Sequence, residues 1–315
     1  MKKRNGKPEP TLARKFLVSA LIIIVLLFVG ALVAALLTGG GETGGNTAII
    51  KVTGIITGDS DSSFFSGAGA SSAEIVRELE KALDDDSIRA VILEINSPGG
   101  SAVASDEIAQ AVKAVRQQNK TVVAWIREEG ASGAYWVASS SDHIVANRMS
   151  ITGSIGVISS YLQFDRFIES WNVSYNRLVA GDRKDIGDPF VNLTESNRLF
   201  YQAKLNRVHQ FFIEEVARNR NMSVEKVTEL ADGQFFLGVE AKDAGLVDEL
   251  GGKQEAIAYL ETRGVKAETV EYTPEKSFLD RLLGIIGQQR APSVSDFARQ
   301  QAVDGASNAP VPMLR

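Results

Sequence analysis

The chain has 315 residues, 44% of them hydrophobic and 23% charged, enough apolar material for a substantial folded core. It has no cysteine and two histidines, His143 and His209, which removes disulfides, thiolate metal sites, cysteine nucleophiles and any histidine-rich metal centre. A net charge of −5 hides an asymmetry: residues 1–15 carry +5, which leaves −10 on residues 16–315, and an acidic body of that kind argues against binding the phosphate backbone of nucleic acid.

In chain order, a basic tail (1–15) precedes Phe16–Leu37, an apolar run of 22 residues without a charge. As a helix it would span about 33 Å, against a hydrocarbon core of roughly 30 Å. A cleaved secretory signal has a shorter apolar core of roughly 7–15 residues, so the run reads as an uncleaved transmembrane anchor. The basic residues before it stay cytoplasmic by the positive-inside tendency, and everything beyond Leu37 then lies outside the cytoplasm. Residues 38–46 (TGGGETGGN) form a glycine-rich tether, and Thr57–Ser71 reads as a mobile polar loop.

Between these lies a strand over Ala48–Val52, and after them strands and helices alternate. Helical spacing predicts a helix over Ser72–Leu83, and continuous apolar runs predict strands over Ala90–Ile95 and Thr121–Ile126, covered on both faces. Further helices are expected over Ala102–Val115, Ala131–Ser140, Thr194–Asn219 and 252–262. Further strands are expected over His143–Ala146, Ile155–Ile158 and Val173–Ala180. His209 reads as a packing or helix-surface residue. Alternation of this kind points to an α/β fold built on a mainly parallel sheet. The domain itself is expected over 47–275, followed by an extension, 276–315, that loses apolar periodicity and becomes flexible from about residue 291.

Three segments could carry chemistry. Asn96-Ser97-Pro98-Gly99-Gly100-Ser101 links a buried strand to a helix, and its glycines leave backbone N–H groups open to an oxyanion or another negative charge. Gly130-Ala131-Ser132-Gly133-Ala134 lies at a second such junction, where small neighbours leave the Ser132 hydroxyl accessible, although serine is also a common helix cap. Gly181-Asp182-Arg183-Lys184-Asp185-Ile186-Gly187 is a polar turn that by itself reads as solvated. Glu128–Glu129 has no evident purpose.

In combination these stretches, with ASGAYWVASSSDHIVAN (131–147), TGSIGV (152–157) and LADGQFFLGVEAKDAGLVDELGG (230–252), resemble the signal peptide peptidase A family of Ser/Lys proteases. That family sits within the Clp protease and crotonase superfamily, whose fold repeats β-β-α units. The resemblance runs from about residue 47 to 272, and one departure is visible: Ala134 stands where the family has a second glycine. It implies Ser132 as nucleophile and Lys184 as general base, Gly99 and Gly133 N–H groups as the oxyanion hole, and Ser154 orienting the lysine amine. No metal or cofactor is then needed. A serine hydroxyl requires a base, and a lysine can serve only when uncharged, so Lys184 is expected to be enclosed by the fold or an oligomer, with Asp182 and Asp185 turned away.

The resemblance further implies signal-peptide remnants and extended apolar peptides as substrates, and a homo-oligomer, with an octamer favoured. Two other readings remain: a crotonase-like enzyme acting on acyl-coenzyme A, against which an extracytoplasmic domain weighs, and a non-catalytic membrane scaffold of the same fold.

Overall fold

The computed structural model describes residues 21–30, 45–59 and 69–272. Residues 21–30, part of the expected anchor, are helical with exposed side chains. Among the described residues no helix is long and apolar enough to cross a membrane. The basic tail, the rest of the anchor run, most of the tether, the centre of the 57–71 loop and the C-terminal extension lie outside the described residues.

The fold is α/β. Its main sheet has the order β10-β1-β4-β5-β6-β9, with β1 Thr47–Thr53, β4 Ala90–Ser97, β5 Thr121–Ala131, β6 His143–Ala146, β9 Glu249–Leu250 and β10 Thr269–Tyr272. Every pair along that path is parallel. Parallel strands need crossovers, and helices supply them: α1 (Ser72–Asp84), α2 (Ala102–Gln117) and α3 (Gly133–Ser139). Strand β5 is unusually long. Its first part pairs with β6 through Val123–Ile126, and its last part pairs with β7 (Ile151–Gly153) through Glu129–Ala131. Glu128 and Glu129 sit where it passes from one partner to the other. A short β8 (Phe235–Leu237) runs antiparallel on β7. Ile56 in β2 (Ile56–Thr57) bridges to Gly100, and β2 pairs with β3 (Ala70–Ser71).

The apolar runs are buried on both sheet faces. One face packs Ile50, Val52, Leu93 and Ile126 beneath the crossover helices, and the other packs Ile49, Ile92 and Val123 against Ala256 and Leu260 of the last helix, Lys253–Thr262. Each fully buried Ile or Leu contributes roughly 1.5–3 kcal/mol, so this two-sided core fixes the strand ends firmly. The long helix Glu195–Arg220, which we label α5, follows a short helix α4 (Asp165–Ser170). Only its second half buries side chains, Phe212, Ile213 and Val216 among them.

Two expected strands are absent. Val173–Ala180 is exposed and unpaired: Val173, Tyr175 and Val179 alternate, but no neighbouring strand edge receives them. Ile155–Ile158 carries no strand pairing either. The strand there lies earlier, at Ile151–Gly153, because that stretch can pair with the end of β5.

Candidate active site

Parallel register brings the candidate segments together. Ser97 pairs with Gly130 and Ala131 pairs with Gly153, so the chain leaves β4, β5 and β7 side by side at their C-terminal ends. This is where ligands bind in open parallel sheets. The SPGG turn, Ser132 and Ser154 therefore emerge next to one another.

Ser132 departs from an ordinary helix cap. Ser71, Ser101, Thr194 and Ser223 each accept an N–H from the first turn of the helix they start. Ser132 precedes α3 in the same way, yet its side chain makes no cap hydrogen bond. Its backbone, at φ 52° and ψ −124°, is one that non-glycine residues rarely adopt, and a strain of about 1–3 kcal/mol is kept only when the surroundings enforce it. The enforcing contacts are the Ser132 N–H donating to the Gly153 carbonyl at 2.8 Å and the Trp136 N–H donating to the Ser132 carbonyl at 3.0 Å. Ser132 is half-buried, and it lines a cavity.

That cavity, about 510 Å³, is lined by Ser132, Gly133 and Ser154 together with Gly100, Trp136 and Phe212. Trp136 stacks on Phe212 with ring centroids 4.9 Å apart. Val157, Ile158 and Val208 complete an apolar wall, and no charged side chain belongs to the lining. Gly133 is the first residue of α3, so its N–H has no partner within the helix. Ser154 also has a positive φ of 50°. Its N–H bonds to the Gln234 carbonyl at 2.9 Å and its hydroxyl donates to the Gly233 carbonyl at 3.3 Å.

In the SPGG turn the Gly99 N–H, expected as an oxyanion donor, donates to the buried Ser97 hydroxyl at 3.1 Å. Its neighbour Gly100 lines the cavity, with its nitrogen 3.3 Å from where a Cβ on Gly133 would stand. The Gly99 carbonyl and the Ser101 N–H both pair with Ile56, which leaves the Gly100 N–H directed elsewhere. Only glycine fits at position 100, since a Cβ there would lie 2.1 Å from the Ile56 carbonyl oxygen. Gly99 and Gly100 look alike in sequence, and the choice between them depends on a bridge to a residue over forty positions away.

Lys184 is not among the cavity-lining residues. It is exposed in a turn closed by its own N–H donating to the Gly181 carbonyl at 3.1 Å. Asp185 is held by Arg177. Ala134 is fully buried in the main core and does not reach the cavity. His143 stacks on Tyr259 at 3.9 Å and contacts Glu249 at 3.2 Å. His209 packs closer to the site than its sequence context indicates: its Nε2 lies 3.1 Å from the Ile155 carbonyl, between the cavity-lining residues Ser154 and Gly156. Among the described residues no group of three acidic or histidine side chains could hold a metal ion.

Comparison with known proteins gives the family. The profile of Peptidase family S49 matches residues 114–268. A provisionally named protease of Methanocaldococcus jannaschii is 36% identical over 64% of this chain and 65% of its own. A provisionally named signal peptide peptidase of Enterococcus faecium is 32% identical over 73% of this chain and 68% of its own. A chloroplastic serine protease of Arabidopsis thaliana is 28% identical over 77% of this chain but only 37% of its own length. With its strained serine at the junction of β5 and α3 and relatives of this kind, the chain belongs to peptidase family S49, among the serine proteases.

Proposed function

We propose that this protein is a membrane-anchored endopeptidase that attacks peptide carbonyls with Ser132, uses Lys184 as general base and clears signal-peptide remnants at the membrane. The observation that carries the reading is the uncapped Ser132 hydroxyl, held in a strained backbone beside free N–H groups at the ends of parallel strands. The parallel sheet with helical crossovers supports a Clp protease/crotonase-like fold, and the domain is taken as 47–275.

In the proposed cycle the Ser132 Oγ adds to the carbonyl carbon as its proton passes to the uncharged Lys184 amine. The N–H groups of Gly133 and Gly100 receive the oxyanion. The lysine returns the proton to the departing amine, and water then cleaves the acyl-enzyme with the same base. Ser154, which lines the same cavity as Ser132, orients the amine. The apolar lining favours extended apolar peptides, as a signal-peptide core would supply.

Lys184 must be shielded from water to act as a base, and a homo-oligomer, with eight copies favoured, supplies that shield. The segment carrying Lys184 supports assembly, because it exposes large apolar side chains: Ile158 at 92%, Leu178 at 95%, and Leu162, Phe167 and Trp171 at 60–72%. Residues 16–37 supply the anchor, with the N-terminus cytoplasmic and the catalytic domain outside.

The test is a fluorophosphonate probe together with digestion of synthetic signal peptides by the full-length protein in detergent. Labelling at Ser132, and turnover lost in both Ser132→Ala and Lys184→Ala, are expected. Turnover by Lys184→Ala at the wild-type rate would remove the assignment of the base, and labelling elsewhere would remove that of the nucleophile.

A further inference from the structure

The Lys184 turn is held by charges that the proposed cycle does not use. Arg177, in the extended segment before the turn, grips both carboxylate oxygens of Asp185: Nε bonds to Oδ2, and Nη2 bonds to Oδ1 at 2.9 Å. The same Nη2 lies 3.4 Å from the Asp182 carbonyl. Asp185 directly follows Lys184, and its side chain is only 13% exposed within a largely open segment. On the other side, the Arg183 guanidinium stands 4.8 Å over the Phe200 ring of α5, whose centroid is also 5.2 Å from Lys204 Nζ. Tyr175 donates to Asp188 at 2.7 Å. The charged or titratable groups around the turn are therefore Asp182, Arg183 and Asp185 on the turn itself, Tyr175, Arg177 and Asp188 flanking it, and Lys204 from the helix.

We propose that Arg177 is a positioning residue for the reaction: by occupying both oxygens of Asp185 it denies Lys184 the carboxylate that adjoins it in the chain and keeps the amine free to act as a base. The inference rests on the reading of Lys184 given above. An unpaired carboxylate within about 4–6 Å of an amine favours the ammonium form, and an ammonium cannot take the Ser132 proton. A bidentate guanidinium is the strongest neutralising partner available for a carboxylate. It holds the Asp185 carboxyl below the usual carboxylate range, so the acid stays ionised and engaged. The need grows if assembly removes water from the turn, because charges then interact more strongly.

The experiment measures kcat/KM against pH for the full-length protein in detergent, with an internally quenched apolar peptide. In Arg177→Gln the midpoint of the rising limb moves up by about one pH unit or more, an approximately tenfold loss at neutral pH, while the alkaline plateau survives. Arg177→Gln with Asp185→Asn restores the midpoint. Asp185→Asn alone moves it downward, because an unpaired guanidinium disfavours a second cation. Arg177→Lys, which keeps a charge but not the fork, falls between wild type and Arg177→Gln. A lowered plateau with an unmoved midpoint, as a purely structural role would give, overturns the proposal. Should Arg177→Gln fold poorly, Asp185→Asn decides the matter, since an unmoved or raised midpoint there overturns it as well. Retained turnover in Lys184→Ala is the separate signature of a wrong base.

Discussion

Gly133 is packed tightly against α2, and that contact predicts the effect of one methyl group. A Cβ at Gly133 would stand 2.3 Å from Ser105 Oγ, 3.3 Å from Ser105 Cβ and 3.3 Å from Gly100 N. Ser105 is fully buried and its hydroxyl donates to the Ser101 carbonyl at 2.9 Å, so it cannot swing aside without losing that bond. Non-bonded carbons rest about 3.5–4 Å apart, so α3 and α2 must separate by roughly 1 Å. Overpacking of that kind costs about 1–3 kcal/mol of stability. The Gly133 N–H moves with the helix, and a displacement of about 1 Å at a catalytic group costs on the order of 100-fold in rate. Gly133→Ala is thus expected to lose about 100-fold in kcat while remaining folded. Adding Ser105→Ala removes the 2.3 Å contact at the expense of one hydrogen bond worth about 1 kcal/mol, and should recover at least about tenfold. Peptide hydrolysis and thermal unfolding of the four proteins of this cycle provide the readout. A Gly133→Ala enzyme with wild-type kcat would refute the role given to that N–H, and failure of Ser105→Ala to restore rate would refute the steric account.

Three further outcomes follow from the same contacts. Ser132→Gly abolishes turnover yet raises thermal stability, because glycine relieves a strain of roughly 1 kcal/mol or more at φ 52°; a lowered melting temperature would contradict the strain. His209→Ala removes the bond to the Ile155 carbonyl and should lower kcat/KM about fivefold, for a bond worth about 1 kcal/mol, with His209→Gln retaining more than His209→Ala; equal rates in all three would place His209 outside the site. Burial pulls the Asp248 carboxyl up, but bonds to Arg220 (2.9 Å from Nη1 to Oδ2) and to the Ile144 N–H outweigh it and hold it below the usual range. A lowered folded value stabilises above the unfolded value of about 3.9 and is lost as pH falls below it. Urea unfolding should therefore show the wild type losing stability below about pH 4 and Asp248→Asn losing less over the same interval; equal acid sensitivity would contradict this.

What could be read from the sequence was whatever depends on local pattern. The central strands announce themselves because Ala90–Ile95 and Thr121–Ile126 are apolar at nearly every position, as burial on both faces demands. Helices α1, α2 and α5 begin at Ser or Thr caps that are visible in the chain. Strands β7 and β8, three residues each, are too short to show a period, and they form only because β5 runs on past β6. Val173–Ala180 misleads for the opposite reason, since alternating apolar residues do not make a strand without a neighbouring edge. The ambiguity at Ser132, cap or nucleophile, lies in a backbone angle that the sequence does not display. The difference between Gly99 and Gly100 likewise lies in the Ile56 bridge, which the sequence does not display.

These points meet in a division of labour within the fold. The rigid part of the molecule, the C-terminal ends of β4, β5 and β7, carries the groups proposed to attack and to hold the oxyanion, Ser132 with the Gly133 and Gly100 N–H groups, and Ser154 beside them, at the ends of paired buried strands. The group that must change its protonation state, if it is Lys184, sits on an exposed segment held by ion pairs and ring contacts. A cavity lined without charge disfavours an ammonium and so suits an amine that works uncharged. The exposed apolar side chains elsewhere on its segment are of the type that would close such a cavity when covered. On the proposed assignment of Lys184, catalytic power depends on burying that segment, so changes to its exposed apolar residues should lower turnover even where they leave Ser132 in place.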